Sequence, residues 1–178
     1  MKLKTLLLTL FLSTSLIGTT YADYNAGADA FGKGDYKTAF KEFRLSAQQG
    51  NVNAQFFTGW MYANGKGVLK NEKEAVKWIR KAAENGFAIA QTSLGVKYFN
   101  GEGVLKNEKE AVKWFSKAAN QEDAKAQLKL GIAYASGIGV PKDLSKAKYW
   151  AEKAYENDKP EVSEQATMLW DAFELWKY

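Results

Sequence analysis

The 178-residue chain contains no cysteine, no histidine and only two prolines. Without cysteine there is no disulfide staple and no thiol nucleophile. Without histidine there is no Ser-His-Asp chemistry, and the two absences together exclude nearly every zinc-site design. Any catalysis would have to rest on Asp, Glu, Lys, Ser or Tyr, and nothing in the composition implies a cofactor or a metal. Charge of one sign is not concentrated either. Lys and Arg number 25 against 20 Asp and Glu, a formal charge of +5. Lysines and glutamates alternate along the chain, as on solvated helix faces, and give no basic patch from which to argue nucleic-acid binding. Hydrophobic residues make up 46%, enough for a sizeable core in one domain.

The N-terminus has the layout of a secretory signal peptide. Lys2 and Lys4 precede the apolar run Leu6 to Leu12, which Ser13 to Ile17 extend weakly. Thr20-Tyr21-Ala22 then offers small residues at the two positions read before cleavage, so a cut after Ala22 is expected. The rival is a retained membrane anchor. A spanning helix wants roughly 20 mostly apolar residues, and Ser13, Thr14, Ser15, Thr19 and Thr20 arrive too soon. The expectation is a periplasmic or secreted mature chain with no membrane association after cleavage. Removing residues 1–22 takes away two lysines and no acid, leaving +3.

What the sequence does contain is a repeat. GVLKNEKEAVKW runs from Gly67 to Trp78 and returns unchanged from Gly103 to Trp114, 36 residues later. At that period Gly59, Gly95 and Gly131 align, with Tyr62, Tyr98 and Tyr134 three places on. Gln55, Gln91 and Gln127 align, as do Trp78, Trp114 and Trp150. A fixed period of this length marks stacked units, none of which can hide its apolar face alone. The expected organisation is one repeat domain over 23–178. It comprises an opening unit at 24–50, repeats at 51–86, 87–122 and 123–158, and a capping helix at 159–178.

Each unit reads as two helices. In 51–65, Ala54, Thr58, Gly59 and Tyr62 follow helical spacing, and Asn64-Gly65 ends the segment. Asn71 opens the second helix as N-cap, with Glu74 placed to return a bond to the Asn71 amide. Asn107 and Glu110 repeat the device, and Asp143 keeps only the cap. Ala75, Val76, Ile79, Ala82 and Ala83 form one stripe with Trp78 on its flank, and Gly86 stops the helix. A mid-helix glycine costs about 1 kcal/mol against alanine, so Gly59, Gly95 and Gly131 imply close approach of two backbones. The tryptophans are expected to pack against the next pair. A carbohydrate platform is the other reading of them, but their place beside small alanines favours the core.

The pattern A-x-A-Q-x-x-L-G-x-x-Y-x-x-G-x-G-V, followed by K/E-A-x-x-W-x-x-K-A-A, is carried by Ala90, Gln91, Leu94, Gly95, Tyr98, Gly101, Gly103, Val104, Glu110, Ala111, Trp114, Lys117, Ala118 and Ala119. It resembles the Sel-one-like repeat family, relatives of tetratricopeptide repeats. Units 51–86 and 87–122 match well. Unit 123–158 departs mildly at Lys148 and Tyr155, and the unit-end Gly86 becomes Glu122 and Asp158. The resemblance implies an all-α, right-handed α-solenoid that binds other proteins; spacing alone implies only stacked helix pairs. The opening unit uses the shorter turn Gly32 to Tyr36. At the far end Pro160 begins a last helix, and Val162, Ala166, Leu169, Trp170 and Phe173 are expected to seal the stack. The alternative for this end is a partner surface carrying Trp176 and Tyr178.

Two motifs suggest chemistry and are weak. Ser145-Lys146-Ala147-Lys148 has the Ser-x-x-Lys spacing of penicillin-binding proteins without the supporting Ser-Asp-Asn or Lys-Thr-Gly. Gly65-Lys66-Gly67 follows no strand and lacks the rest of a phosphate loop. The better signal is what varies between units. In the first helices one face holds Asn53, Phe57 and Met61, then Ile89, Ser93 and Lys97, then Lys125, Lys129 and Ala133, at i, i+4 and i+8. First helices commonly line the concave side of such stacks. The expected partner groove therefore has Phe57, Trp60 and Met61 as its apolar end, Ser93 between, and Lys97, Lys125 and Lys129 as its basic end. Cover by the opening unit is the alternative for Phe57 and Met61, and drift on a solvated face is the alternative for the lysines. The expected function is a non-catalytic adaptor of the bacterial envelope that binds a protein or peptide. An immunity or inhibitor protein guarding against an envelope toxin is the alternative, with a β-lactam or peptidoglycan hydrolase behind it.

Overall fold

Asn51, Asn71, Asn107, Asp123 and Asp143 each accept a hydrogen bond from the backbone amide three residues ahead, and each starts a helix. The computed structural model describes residues 23–157 and 160–178. The signal peptide with its cut after Ala22, and the unit-end Asp158, lie outside them. The described helices are α1 (Tyr24–Gly32), α2 (Tyr36–Gln48), α3 (Val52–Asn64), α4 (Glu72–Glu84), α5 (Ala88–Asn100), α6 (Glu108–Ala119), α7 (Ala124–Ser136), α8 (Leu144–Glu156) and α9 (Pro160–Ala172). A 3₁₀ turn over Leu175–Lys177 follows. Each helix packs on the one before and the one after it, α1 with α2, α3 with α4 and so on in chain order. No described helix is long and apolar enough to cross a membrane.

Within a unit the mid-helix glycine sets the spacing. A Cβ on Gly59 would lie 2.9 Å from the Ala75 carbonyl oxygen and 2.6 Å from Ile79 Cγ1. One on Gly95 would meet the Phe115 ring at 2.5 Å and the Ala111 carbonyl at 3.1 Å. The small alanines opposite, Ala75, Ala111 and Ala147, are fully buried. The stripe of α4 is buried as its periodicity requires: Ala75, Val76, Ile79, Ala82 and Ala83 all face the core.

Between units three devices recur. Gln91 Nε2 donates to the Ala83 carbonyl at the end of the preceding helix at 3.0 Å, while its Oε1 accepts from Gln121 at 2.8 Å. Gln55 and Gln127 hold the same places. A buried amide that satisfies both of its ends fixes the register of one unit on the next. The loop glycines Gly67, Gly103 and Gly139, all at φ near +70°, run against the carbonyls of Tyr36, Glu72 and Glu108, where a Cβ would overlap. Those three residues begin the preceding unit's second helix. The tryptophans form the third device, with a direction opposite to expectation. Trp114 packs with Val76, Ile79, Ala82 and Ala83 of the preceding unit, not the next. Trp78 likewise packs against the cluster that holds Phe43 and Ala47 of the opening unit, and Trp150 against the one that holds Phe115 and Ala119.

The caps differ from expectation in one half. Asn71 Oδ1 accepts from the Glu74 amide at 3.1 Å, as read. The Glu74 carboxylate turns to Lys77 instead of returning to the cap, and the Asn71 amide donates to the Tyr62 carbonyl at 2.9 Å. Asn107 does the same with Tyr98, so the loop closes back on the first helix. At the C-terminal end Val162, Ala166 and Leu169 are buried, Trp170 and Phe173 pack against them, and Leu175 of the last turn is fully enclosed. Trp176 and Tyr178 remain exposed.

Candidate partner-binding site

The expected apolar end of the groove is closed. Met61 is 0% exposed. Phe57 stacks on Phe43 with centroids 5.1 Å apart and meets Tyr24 at 6.0 Å. Trp60 sets its ring edge-on to Phe31 at 5.6 Å. The opening helix α1 supplies Tyr24 and Phe31 and lies over all three residues. Apolar volume was read correctly here and its solvent exposure was not: docking an aromatic helix is what hides it.

Lys97 also leaves the surface. Its side chain is 9% exposed, and Nζ donates to Glu72 at 2.8 Å and to Glu102 at 3.2 Å. It thus ties the start of α4 to the loop after α5. Burial pushes the Glu72 carboxyl up, but hydrogen bonds and charge from Lys97 and Lys70 outweigh that and hold it below its ordinary value. A hydrogen bond from Asn100, and then Lys97 against the burial cost, lower Glu102 as well. Ser93 is half-buried and donates to its own helix at the Ile89 carbonyl. Lys125 and Lys129 remain exposed on α7, with no carboxylate partner among the described residues.

An open apolar feature lies beside Lys129, one helical turn from Lys125, at the other end of the face from Phe57. A cleft of about 310 Å³ runs between α5 and α7, floored by α6. Val96, Phe99, Phe115, Ile132, Ala133 and Ile138 line it, and Lys129 stands on its wall. Phe99 is 37% exposed, with the Lys106 ammonium 5.7 Å above its ring. The volume is at the lower end of the about 300–1,000 Å³ usual for ligand clefts, room for a large side chain or two.

The repeat explains why the cleft is here. Ala133 occupies the position of Met61 and Lys97 in the earlier units and of Leu169 in the cap. Those three long side chains are buried. Alanine at that position leaves the space unfilled. Ile138 stands where Glu102 stands, so the polar partner that would draw a lysine in is missing too. Sequence reading placed Ala133 on the variable stripe, but did not weigh its size against its equivalents, which is the signal that finds the cleft. It also passed over Leu69 and Leu105, equivalent loop residues that are 89% and 88% exposed.

The motifs suggesting chemistry resolve into structure. Ser145 is exposed in the first turn of α8, and Lys148 Nζ lies 5.8 Å from the Trp170 ring centre. The Gly65 to Gly67 segment is the unit-stacking loop.

Nine described helices, ordered as consecutive hairpins that each bury the next, define an α-solenoid of stacked helix pairs. The Sel1 repeat family model matches residues 52–87, 88–123 and 124–159. The chain belongs to the Sel1 repeat family. A Sel1 repeat protein from Oxalobacter formigenes is 37% identical with a TM-score of 0.77, over 84% of this chain and 61% of that one. A protective antigen present in uropathogenic Escherichia coli strains, displaying an SLR fold, is 33% identical with a TM-score of 0.77, over 87% and 35%. Helicobacter pylori cysteine-rich protein B is 26% identical with a TM-score of 0.57, over 72% and 95%. The chain thus spans under two thirds of the length of the first two. No curated protein matches. Sel1-repeat proteins generally mediate protein–protein interaction and are typically non-catalytic scaffolds.

Proposed function

We propose that the chain is an exported, non-catalytic adaptor of the bacterial envelope that binds a partner protein on the face of its first helices. The observation that carries this reading is the apolar cleft at Ala133, open beside Lys129 and one helical turn from Lys125, neither of which has a carboxylate partner among the described residues. Exposed apolar surface rimmed by polar groups marks a contact site. The charged start, short apolar run and Thr20-Tyr21-Ala22 of the N-terminus support export. The likeness to a protein described as a protective antigen points the same way.

A photo-reactive phenylalanine analogue at Lys129, with the exposed Lys113 outside the cleft lining as control, tests the reading in living cells. The expected result is a discrete adduct from position 129 alone, in the periplasmic fraction or the medium, on a chain beginning at Asp23. Adducts from both positions or from neither sink it. The identity of the adduct separates an adaptor from a toxin inhibitor. Penicillin labelling that disappears in Ser145→Ala would instead establish a hydrolase-type site.

A further inference from the structure

We infer that the cleft at Ala133 receives one bulky apolar side chain of an extended acidic segment, whose carboxylates pair with Lys129 and Lys125. The inference rests on the partner-binding reading and specifies the ligand. Ala133, Lys129 and Lys125 lie four residues apart on α7 and share one face. Four residues of helix rise about 6 Å. Two residues of extended chain rise about 6.6 Å, and alternate side chains of such a chain point the same way. The two periods match. A segment lying along α7 with an apolar residue in the cleft therefore presents its second and fourth following side chains, in one chain direction or the other, to Lys129 and then Lys125. The recognised pattern is apolar-x-acid-x-acid or its reverse.

Charge selects the same class of partner. Lys129 and Lys125 carry no carboxylate among the described residues; Lys106 stands over Phe99 at the mouth but is paired with Glu108 at 2.9 Å. In the preceding unit the equivalent space is taken by the Lys97 side chain, whose charge is cancelled by Glu72 and Glu102. At the next position the space is open, and Lys129 and Lys125 on its flank have no carboxylate partner among the described residues.

That equivalence supplies the test. Ala133→Lys with Ile138→Glu, opposite the native Glu108, rebuilds the Lys97 arrangement one unit on and fills the cleft with a side chain the fold already accommodates. Fluorescein-labelled peptides carrying Phe-Ser-Glu-Ser-Glu and Glu-Ser-Glu-Ser-Phe are titrated into the chain over 23–178 and followed by anisotropy. Controls replace Phe by Ala or both Glu by Gln. One orientation is expected to bind about tenfold or more tighter than its Ala control, from burial of the ring. The Gln control is expected to lose about threefold or more, and added salt to weaken binding. The double variant, shown to be helical by circular dichroism, is expected to lose the preference. Equal binding of all peptides, no saturable binding of either orientation, or an unaltered preference in the double variant overturns the inference. So does self-association of the wild-type chain that the double variant abolishes, since the cleft then belongs to a second copy. A position-129 adduct in cells together with failure of both peptides would leave the partner-binding reading standing and the ligand chemistry wrong.

Discussion

Alanine at each of the three mid-helix glycines measures how closely the helices of a pair approach, and the three sites should differ. Alanine gains about 1 kcal/mol of helix propensity over glycine. Against this stands overpacking, about 1–3 kcal/mol where atoms cannot move aside. At Gly59 the added methyl meets two backbone atoms of α4, the Ala75 oxygen at 2.9 Å and the Ile79 nitrogen at 3.0 Å. No rotamer relieves a backbone contact, so α3 and α4 must part. At Gly131 the nearest atom is Leu169 Cδ2 at 2.9 Å, the end of a flexible side chain, and backbone begins at 3.4 Å. Gly59→Ala is therefore expected to destabilise by about 2 kcal/mol net, and Gly131→Ala to lie between neutral and about 1 kcal/mol stabilising. Gly95→Ala, against an aromatic ring and a carbonyl at 3.1 Å, falls between. For a domain of this size about 2 kcal/mol lowers the thermal midpoint by about 4–8 °C. Thermal unfolding of the three variants, followed by helical circular dichroism under one scan rate, ranks them. Equal losses at positions 59 and 131, or a gain at 59, would refute the claim that glycine is there for backbone approach.

Glu122 stands at φ 63° where Gly86 stands at φ 87° in the unit before. Relief of about 1–2 kcal/mol of left-handed strain, less about 0.5–1 for glycine's freedom when unfolded, predicts that Glu122→Gly stabilises by about 0.5–1 kcal/mol in urea unfolding. Gln91→Leu removes one of two donors to the Ala83 carbonyl, which keeps the Gly86 amide, and the Gln91 bond of the exposed Gln121 amide, and is expected to cost about 0.5–1.5 kcal/mol by the same assay. The Glu72 and Glu102 carboxyls have folded values lowered from 4.5, so their contribution is present above about 4.5 and is lost as pH falls through the folded values. Lys97→Met leaves Glu72 and Glu102 facing each other without their shared cation, and is expected to cost about 1–3 kcal/mol at pH 7, less than for a fully buried pair because both carboxylates are partly exposed, and to lose less stability than wild type between about pH 5 and pH 3. Parallel losses in the two proteins would remove the ion pair as the cause.

The architecture was legible because its determinants are local and repeated. Asn71, Asn107 and Asp143 cap wherever they stand, the Ala75 to Ala83 stripe buries by its own period, and Gly59 has no use in a helix interior except close contact. The capping box was half legible: the Asn71 oxygen acts within its own turn, but the return bond lost to a loop closing on Tyr62 and to Lys77 near Glu74. The exposure of the expected groove was not legible. Phe57, Trp60 and Met61 count as exposed only if nothing precedes them, and α1 does. Lys97 counts as a surface cation only if Glu72 and Glu102, 25 residues before it and five after, are out of reach.

The sequence by itself determined that this chain is a series of paired helices at a 36-residue period, because spacing, caps and glycines act over a turn or two and recur. The tertiary structure alone decided which stretch of the shared face stays open. The gap at Ala133 lies between α5 and α7, first helices of successive units, and is floored by α6. Whether Met61, Lys97, Ala133 or Leu169 fills its gap therefore depends on side-chain volume and charge arriving from a neighbouring repeat.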